Sequence, residues 1–271
     1  VTGNAGDQGR QRFRIDSTVP YPARTWNYWL GGKNNYPVDC QAGKQAIAVL
    51  PEVVDIARAS RRFLIRVVRY LAADAGIRQF LDIGSGLPTA NNTHEVAQQV
   101  APESRVVYVD HDPLVLVRSR ALLTSSPEGA TDYIEADARD VDTILDGAAA
   151  TLDLTRPVAI TMLGILPFIG DDEATGLVRR LLAGVPSGSY LAIIHSTSEV
   201  SGGRVIEAVR QWNRVASTPY HLRSPEQIAA FFDGLELIEP GVVPCPRWRP
   251  GSYDIGAAQD MDQFCALGRK R

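Results

Sequence analysis

Sulfur is scarce in this chain: 271 residues hold three cysteines and two methionines. Cys40, Cys245 and Cys265 are far apart, odd in number and in no CxxC or nearby histidine spacing, so neither a disulfide framework nor a zinc site is indicated. The expectation is a cytoplasmic protein without a metal. Positive charge is not in surplus either. Lys and Arg number 28 against 31 Asp and Glu, a formal net charge of −3, whereas a nucleic-acid binder normally carries a broad basic excess. A small or neutral substrate is expected, and no nucleic-acid partner. No apolar run approaches the length of a membrane span, so no membrane partner is expected. Val1 to Arg14 are polar and glycine-rich rather than signal-like, and read as a disordered start. Internal repeats are lacking too. The oligomeric state stays open, a homodimer being one option.

What is present is an ordinary globular composition, 45% apolar and 22% charged. The length suits one large domain with an added cap: a helical cap over residues 15–55 and an α/β domain over 56–271. From Gly76 onward, short apolar runs alternate with helix-like segments, which predicts parallel strands joined by helical crossovers. Strands are expected at Arg78 to Ile83, Arg105 to Asp110, Asp132 to Ala136, Pro157 to Leu163 and Ser189 to His195. Leu235 to Val243 and Met261 to Leu267 would close a mostly parallel, seven-stranded Rossmann-like sheet. Asp112 and Pro113 can start a helix over Leu114 to Leu123, and Ser224, Pro225 and Gln227 form a capping box ahead of Ile228 to Phe232. Before the sheet, Ile56, Phe63, Leu64, Val67, Val68 and Leu71 recur at helical spacing. Arg58, Arg62, Arg66 and Arg69 lie on the other side and read as a solvated face.

The sharpest motif runs Phe80-Leu81-Asp82-Ile83-Gly84-Ser85-Gly86-Leu87-Pro88-Thr89, an apolar strand that opens into a glycine loop. Without Cβ atoms, Gly84 and Gly86 let the chain turn sharply and let an adenosine-bearing ligand approach the main chain. A lone GxG is weak evidence, being more often a plain strand-to-helix turn. Its neighbours change the balance. One βαβ unit later, Val106-Val107-Tyr108-Val109-Asp110-His111-Asp112 sets Asp110 at the next strand tip, where it can accept both ribose hydroxyls. His111 can pack on adenine, and Asp112 reads as a helix cap. After the third strand, Asp137 and Ala138 fall where the adenine edge would lie, and a carboxylate accepts an amino proton well.

A nicotinamide dinucleotide would need GxGxxG and a pyrophosphate on a helix N-terminus. Here Thr89 stands in place of the third glycine, and Asp82 would repel that pyrophosphate. The same anion suits the ammonium and sulfonium of S-adenosyl-L-methionine, which is therefore the expected cofactor.

The stretch Ile15 to Asp39, with Pro22-Ala23-Arg24-Thr25-Trp26-Asn27-Tyr28-Trp29-Leu30-Gly31-Gly32-Lys33, resembles the opening of an S-adenosylmethionine-dependent methyltransferase family found mainly in actinobacteria and long carried as a domain of unknown function. The resemblance continues through the glycine loop, Val107 to Pro113, and Gly188-Ser189-Tyr190-Leu191. Ser85 departs mildly from the family's usual threonine, and Leu163 to Phe168 departs from its histidine-bearing form. The resemblance implies a class I methyltransferase fold whose N-terminal helices cap the cofactor, with methyl transfer to a small molecule. Were Ala23 to Leu30 helical, one face would cover the methionine end. Arg24 and Gly32 are the expected contacts there, the guanidinium binding the methionine carboxylate.

Because a sulfonium is already a reactive electrophile, alignment in line with the methyl group and exclusion of water are the main tasks. His195, at the fifth strand's end, is the candidate general base, although hydrogen bonding at a strand end is the preferred account of it. Tyr28, Phe168 and Trp248 are candidate pocket walls. Three readings are carried forward: a small-molecule methyltransferase, with specialised metabolism as one setting; an NAD(P)-dependent oxidoreductase; and a non-catalytic S-adenosylmethionine-binding protein.

Overall fold

The computed structural model describes residues 15–122, 124–251 and 259–271. The expected disordered start and Leu123, the last residue of one expected helix, lie outside the described residues. Five strands, β1 (Gln79–Ile83), β2 (Arg105–Asp110), β3 (Ala130–Glu135), β4 (Ala159–Leu163) and β5 (Tyr190–Ser196), pair in parallel. Beyond β5 come β6 (Leu235–Leu237), β7 (Val243–Pro244) and β8 (Gln263–Lys270), with β8 antiparallel to β5, β6 and β7. The order is β3-β2-β1-β4-β5-β8-β6, with β7 on β8. The expected seven strands become eight among the described residues because the run Leu235 to Val243 breaks. Pro240 has no N–H to continue a ladder, and Gly241, at φ +83°, closes a turn onto the Ile238 carbonyl at 3.0 Å.

All five residues of β1 are buried, as expected of a central parallel strand covered on both faces. One face is covered by α6 (Val141–Ala148) and α7 (Asp171–Ala183), through residues such as Ile144 and Leu181. The other is covered by α3 (Val53–Ala73) and α4 (Thr93–Val100), through Phe63, Val67 and Val96. From β1 the chain builds β2 and β3 to one side, then crosses back to build β4 and β5 on the other. That reversal opens a crevice at the carboxyl ends of β1 and β4, where α/β sheets bind their ligands.

Above the crevice lie α1 (Pro22–Trp29), α2 (Pro37–Val49) and the first turns of α3, joined by α8 (Gly203–Val215), whose Val205 packs with Leu50, Val53 and Ile56. The boundary expected at residue 56 thus falls inside α3, whose two ends serve different layers. Helix starts follow the sequence signals: Asp112 accepts from Leu114 N–H at the head of α5 (Pro113–Leu122), and Ser224 and Gln227 cap α9 (Pro225–Ala230) reciprocally. The solvated reading of the α3 arginines is corrected at Arg66. Its guanidinium donates to the carbonyls of Trp248 at 2.9 Å and Cys245 at 2.7 Å, pinning a distant loop to the helix.

No helix among the described residues is long and apolar enough to cross a membrane. Among them, likewise, no group of three or more His, Cys, Asp and Glu is placed to hold a metal ion. Cys40, Cys245 and Cys265 are all free thiols.

Candidate active site

A cavity of about 260 Å³ lies at the carboxyl edge of the sheet, beneath the helices of the cap. Its floor at one end is the loop Gly84-Ser85-Gly86, where both glycines have positive φ, +73° and +67°. Gly84 is packed from below: a Cβ there would stand 2.6 Å from the Ile165 Cβ. At Gly86 a Cβ would meet no protein atom within 4 Å, so the missing side chain leaves open space on the cavity side.

Asp110 holds this loop. Its Oδ2 accepts from Gly86 N–H and its Oδ1 from Asp112 N–H, both at 2.9 Å. Burial pushes its carboxyl above the usual range, and those two N–H groups draw it part of the way back. Each oxygen keeps a lone pair for a ligand hydroxyl. Deeper in the cavity, Asp82 is 5% exposed and accepts from Thr93 Oγ1 at 2.6 Å and Thr161 Oγ1 at 2.8 Å. Burial raises its carboxyl as well, opposed by both threonines and by the positive charge of Arg61.

Arg61 is the site residue that sequence reasoning missed. It lines the cavity from α3, donating to the Ala90 carbonyl at 3.0 Å and to Asn92 Oδ1 at 3.2 Å. A signal was available: Arg61 stands four residues after Ala57 and three before Leu64, on the buried stripe of the helix rather than opposite it.

Further expected residues on the cavity wall are His111, Ala138 and Phe168. His111 bonds through Nε2 to the hydroxyl of Tyr21, which ties the tip of β2 to the start of α1. Asp137 is off the wall, its carboxylate turned to the Arg139 guanidinium at 3.1 Å, while the flanking Ala136 and Ala138 face the cavity.

Five expectations are corrected by placement. Arg24 is 3% exposed, with Nη1 on the Asp16 carbonyl at 2.9 Å, Nη2 on the Val19 carbonyl at 3.0 Å and Nε 3.4 Å from Asp39, so its charge is used to fold the cap. Gly32 lies off the wall because its Cα is pressed against Asn27, 2.3 Å from where a Cβ would stand. Tyr28 packs in the same way against Gly43, joining α1 to α2. Trp248 is fully buried in core, edge-on to Phe63 with ring centroids 5.2 Å apart. His195 alternates with Ile194 and Ser196, which line the cavity, and so faces the other side of the sheet. There its Nε2 accepts from Arg223 at 2.6 Å, and burial pushes its pKa down to about 3. A histidine so held is neutral and has no access to a substrate.

The donor set fits S-adenosyl-L-methionine. Two buried hydroxyls, Ser85 Oγ and Thr25 Oγ1, have no protein partner, yet both residues line the cavity. Buried polar groups usually have a partner, so these two hydroxyls are free to take one from a ligand. A carboxylate on a bare glycine loop, a guanidinium near a second, deeper carboxylate, and unpaired hydroxyls on the same lining match a nucleoside joined to an amino acid.

Fold and site together define the class, a Rossmann-like protein built for an adenosine cofactor at the tips of β1, β2 and β3. The chain belongs to the S-adenosyl methyltransferase family, whose model matches residues 8–271. It is similar to a crystallised protein of the DUF574 family from Streptomyces avermitilis, 46% identical, covering 95% of this chain and all of that one with a TM-score of 0.92. A second crystal structure, from Thermobifida fusca and provisionally named a methyltransferase, is 37% identical over 95% of this chain and 97% of that one, with a TM-score of 0.88. A Mycobacterium bovis protein, provisionally named an S-adenosyl-L-methionine-dependent methyltransferase, is 29% identical over 73% of this chain. The match spans 59% of that relative's own length. The expected actinobacterial family, Rossmann-like fold and cofactor are all borne out, and the nicotinamide reading falls.

Proposed function

We propose that the protein transfers a methyl group from S-adenosyl-L-methionine to a small molecule held under the cap. The observation that carries this reading is the pairing of Asp110 with the Gly86 N–H, which joins carboxylate and glycine loop into one nucleoside cradle. In that cradle Asp110 accepts the ribose hydroxyls, and Ala136, Ala138 and His111 border the adenine. At the other end Arg61 takes the place expected of Arg24, facing the methionine carboxylate, with Ser85 Oγ as a further donor and Asp82 facing the ammonium.

When bound, the cofactor supplies an electrophilic methyl group on a sulfonium. The chain's own contribution is alignment and exclusion of water by α1, α3 and α8. With His195 turned away, proton removal is left to solvent or to the acidity of the acceptor itself. The net charge of −3 supports a small molecule over a nucleic acid, and three free thiols suit a reducing, cytoplasmic setting.

The test is incubation with methyl-labelled cofactor and a metabolite extract. Label appearing in a small molecule only when the protein is present is the expected result. Tight cofactor binding with no label transferred from any extract would instead favour the non-catalytic, cofactor-sensing reading.

A further inference from the structure

Away from the cofactor end, in what we term the acceptor chamber, the lining of the same cavity has a different character. Its roof is α8, where Val205, Ala208, Val209 and Trp212 recur at i, i+3, i+4 and i+7 and all line the cavity. Val205 and Ala208 pack with Leu50, Val53 and Ile56, whereas Val209 and Trp212, on the same stripe, are half-exposed and in none of the packed clusters, so it is these two that face open space. Across from it stand Trp29, Leu50, Val53 and Ile56 from the cap.

Polarity in this chamber is largely turned inward. The indole of Trp29 donates to the Gly43 carbonyl at 3.2 Å, and that of Trp212 to the Thr218 carbonyl at 3.3 Å, so each presents ring to the cavity. Tyr220 and Gln263 are both bonded to Ser196, and burial pushes the Tyr220 hydroxyl up to about 12. Asp262 is 1% exposed and already accepts from Val200 and Ser201 N–H. Arg61, the cation on the lining, is directed to Ala90 and Asn92 at the cofactor end. Among the described residues, nothing cationic is thus aimed into this chamber to neutralise an anionic ligand, and the carboxylate of Asp262 is engaged by backbone. A handle remains: Gln263 Oε1 accepts from Ser196 Oγ, and its Nε2 has no protein partner among the described residues.

From this we infer that the methyl acceptor is an uncharged, flat, ring-bearing molecule that lies against Val209 and Trp212 of α8, with a hydroxyl or carbonyl oxygen directed to Gln263. Apolar walls with few convergent polar groups take such ligands, and a charge would enter without compensation for its lost hydration. The inference rests on the methyl-transfer reading and names its substrate class.

Three probes of one shape separate charge from size: 1-naphthol, 1-naphthoate and 1-naphthylmethylammonium, titrated with and without saturating S-adenosylhomocysteine. Naphthol should bind at least about ten-fold tighter than either ion. Val209→Arg should weaken naphthol by about ten-fold or more while S-adenosylhomocysteine affinity stays within about two-fold, which also reports that the variant is folded. Val209→Leu, which fills the same space without charge, should weaken naphthol by a smaller factor. Equal or tighter binding of either ion, or naphthol binding indifferent to Val209→Arg in a variant that still holds S-adenosylhomocysteine, would overturn the inference. Failure of the wild type to bind S-adenosylhomocysteine would overturn the methyl-transfer reading itself.

Discussion

The two ends of the cavity use opposite devices. At the sheet end, groups are charged and fixed by hydrogen bonds: Asp110 on two backbone N–H groups, Asp82 on two threonine hydroxyls, Arg61 on a backbone carbonyl and the Asn92 side-chain oxygen. At the α8 end the walls are tryptophan and aliphatic side chains whose polar atoms are already satisfied. The first arrangement specifies one ligand by hydrogen bonds fixed in advance. The second admits a class of ligands by shape and absence of charge. A single protein thus combines an exacting cofactor site with a permissive acceptor chamber.

That contrast can be broken most forcefully at Asp110. Asp110→Ala removes the ribose acceptor and the clamp on Gly86, and should weaken S-adenosylhomocysteine by about 1–3 kcal/mol by calorimetry, with the circular dichroism spectrum retained. Naphthol binding should be little changed. Next in size is Arg61→Ala, expected to weaken S-adenosylhomocysteine by about 1–2 kcal/mol but to leave methylthioadenosine, which has no amino-acid carboxylate, unaffected. Equal losses for both ligands would place Arg61 in a structural role.

Acidification should separate the two ends without any mutation. Burial raises Asp82 and Asp110 above the ordinary 3.8, and in the proposed complex it is their ionised forms that accept from the ribose and face the ammonium. Cofactor affinity is therefore present above those raised pKa values and lost as pH falls through them, beginning at a pH above 3.8. Naphthol affinity should stay level across the same range. The smallest effect is expected for Ser85→Ala, below about 1 kcal/mol in cofactor affinity, because one neutral hydrogen bond is lost and no buried charge is stranded.

The same contrast explains what could be read from sequence. The cofactor end was legible because its chemistry is local: an apolar strand, a glycine loop and acids at successive strand tips sit a few residues apart. Asp82, Gly84, Gly86, Asp110 and Ala138 accordingly line the cavity. The acceptor end is assembled from α1, α3 and α8, far apart in sequence, so Tyr28 and Trp248 were indistinguishable by type from wall residues such as Trp212. Arg24 and Arg61 show the limit for charges. Both are arginines on cap-forming helices: the Asp16 and Val19 carbonyls and Asp39 that claim Arg24 are tertiary, whereas the place of Arg61 on the buried stripe of α3 was in the helix periodicity. His195 failed for a simpler reason, since strand alternation turns it away from the edge that its sequence position suggested.

A crystal structure of the complex with S-adenosylhomocysteine tests the account most directly. It should show both ribose hydroxyls on the Asp110 carboxylate, the amino-acid end beside Arg61, and the space under α8 left free. Adenosine seated under α8, or a ribose making no contact with Asp110, would contradict it.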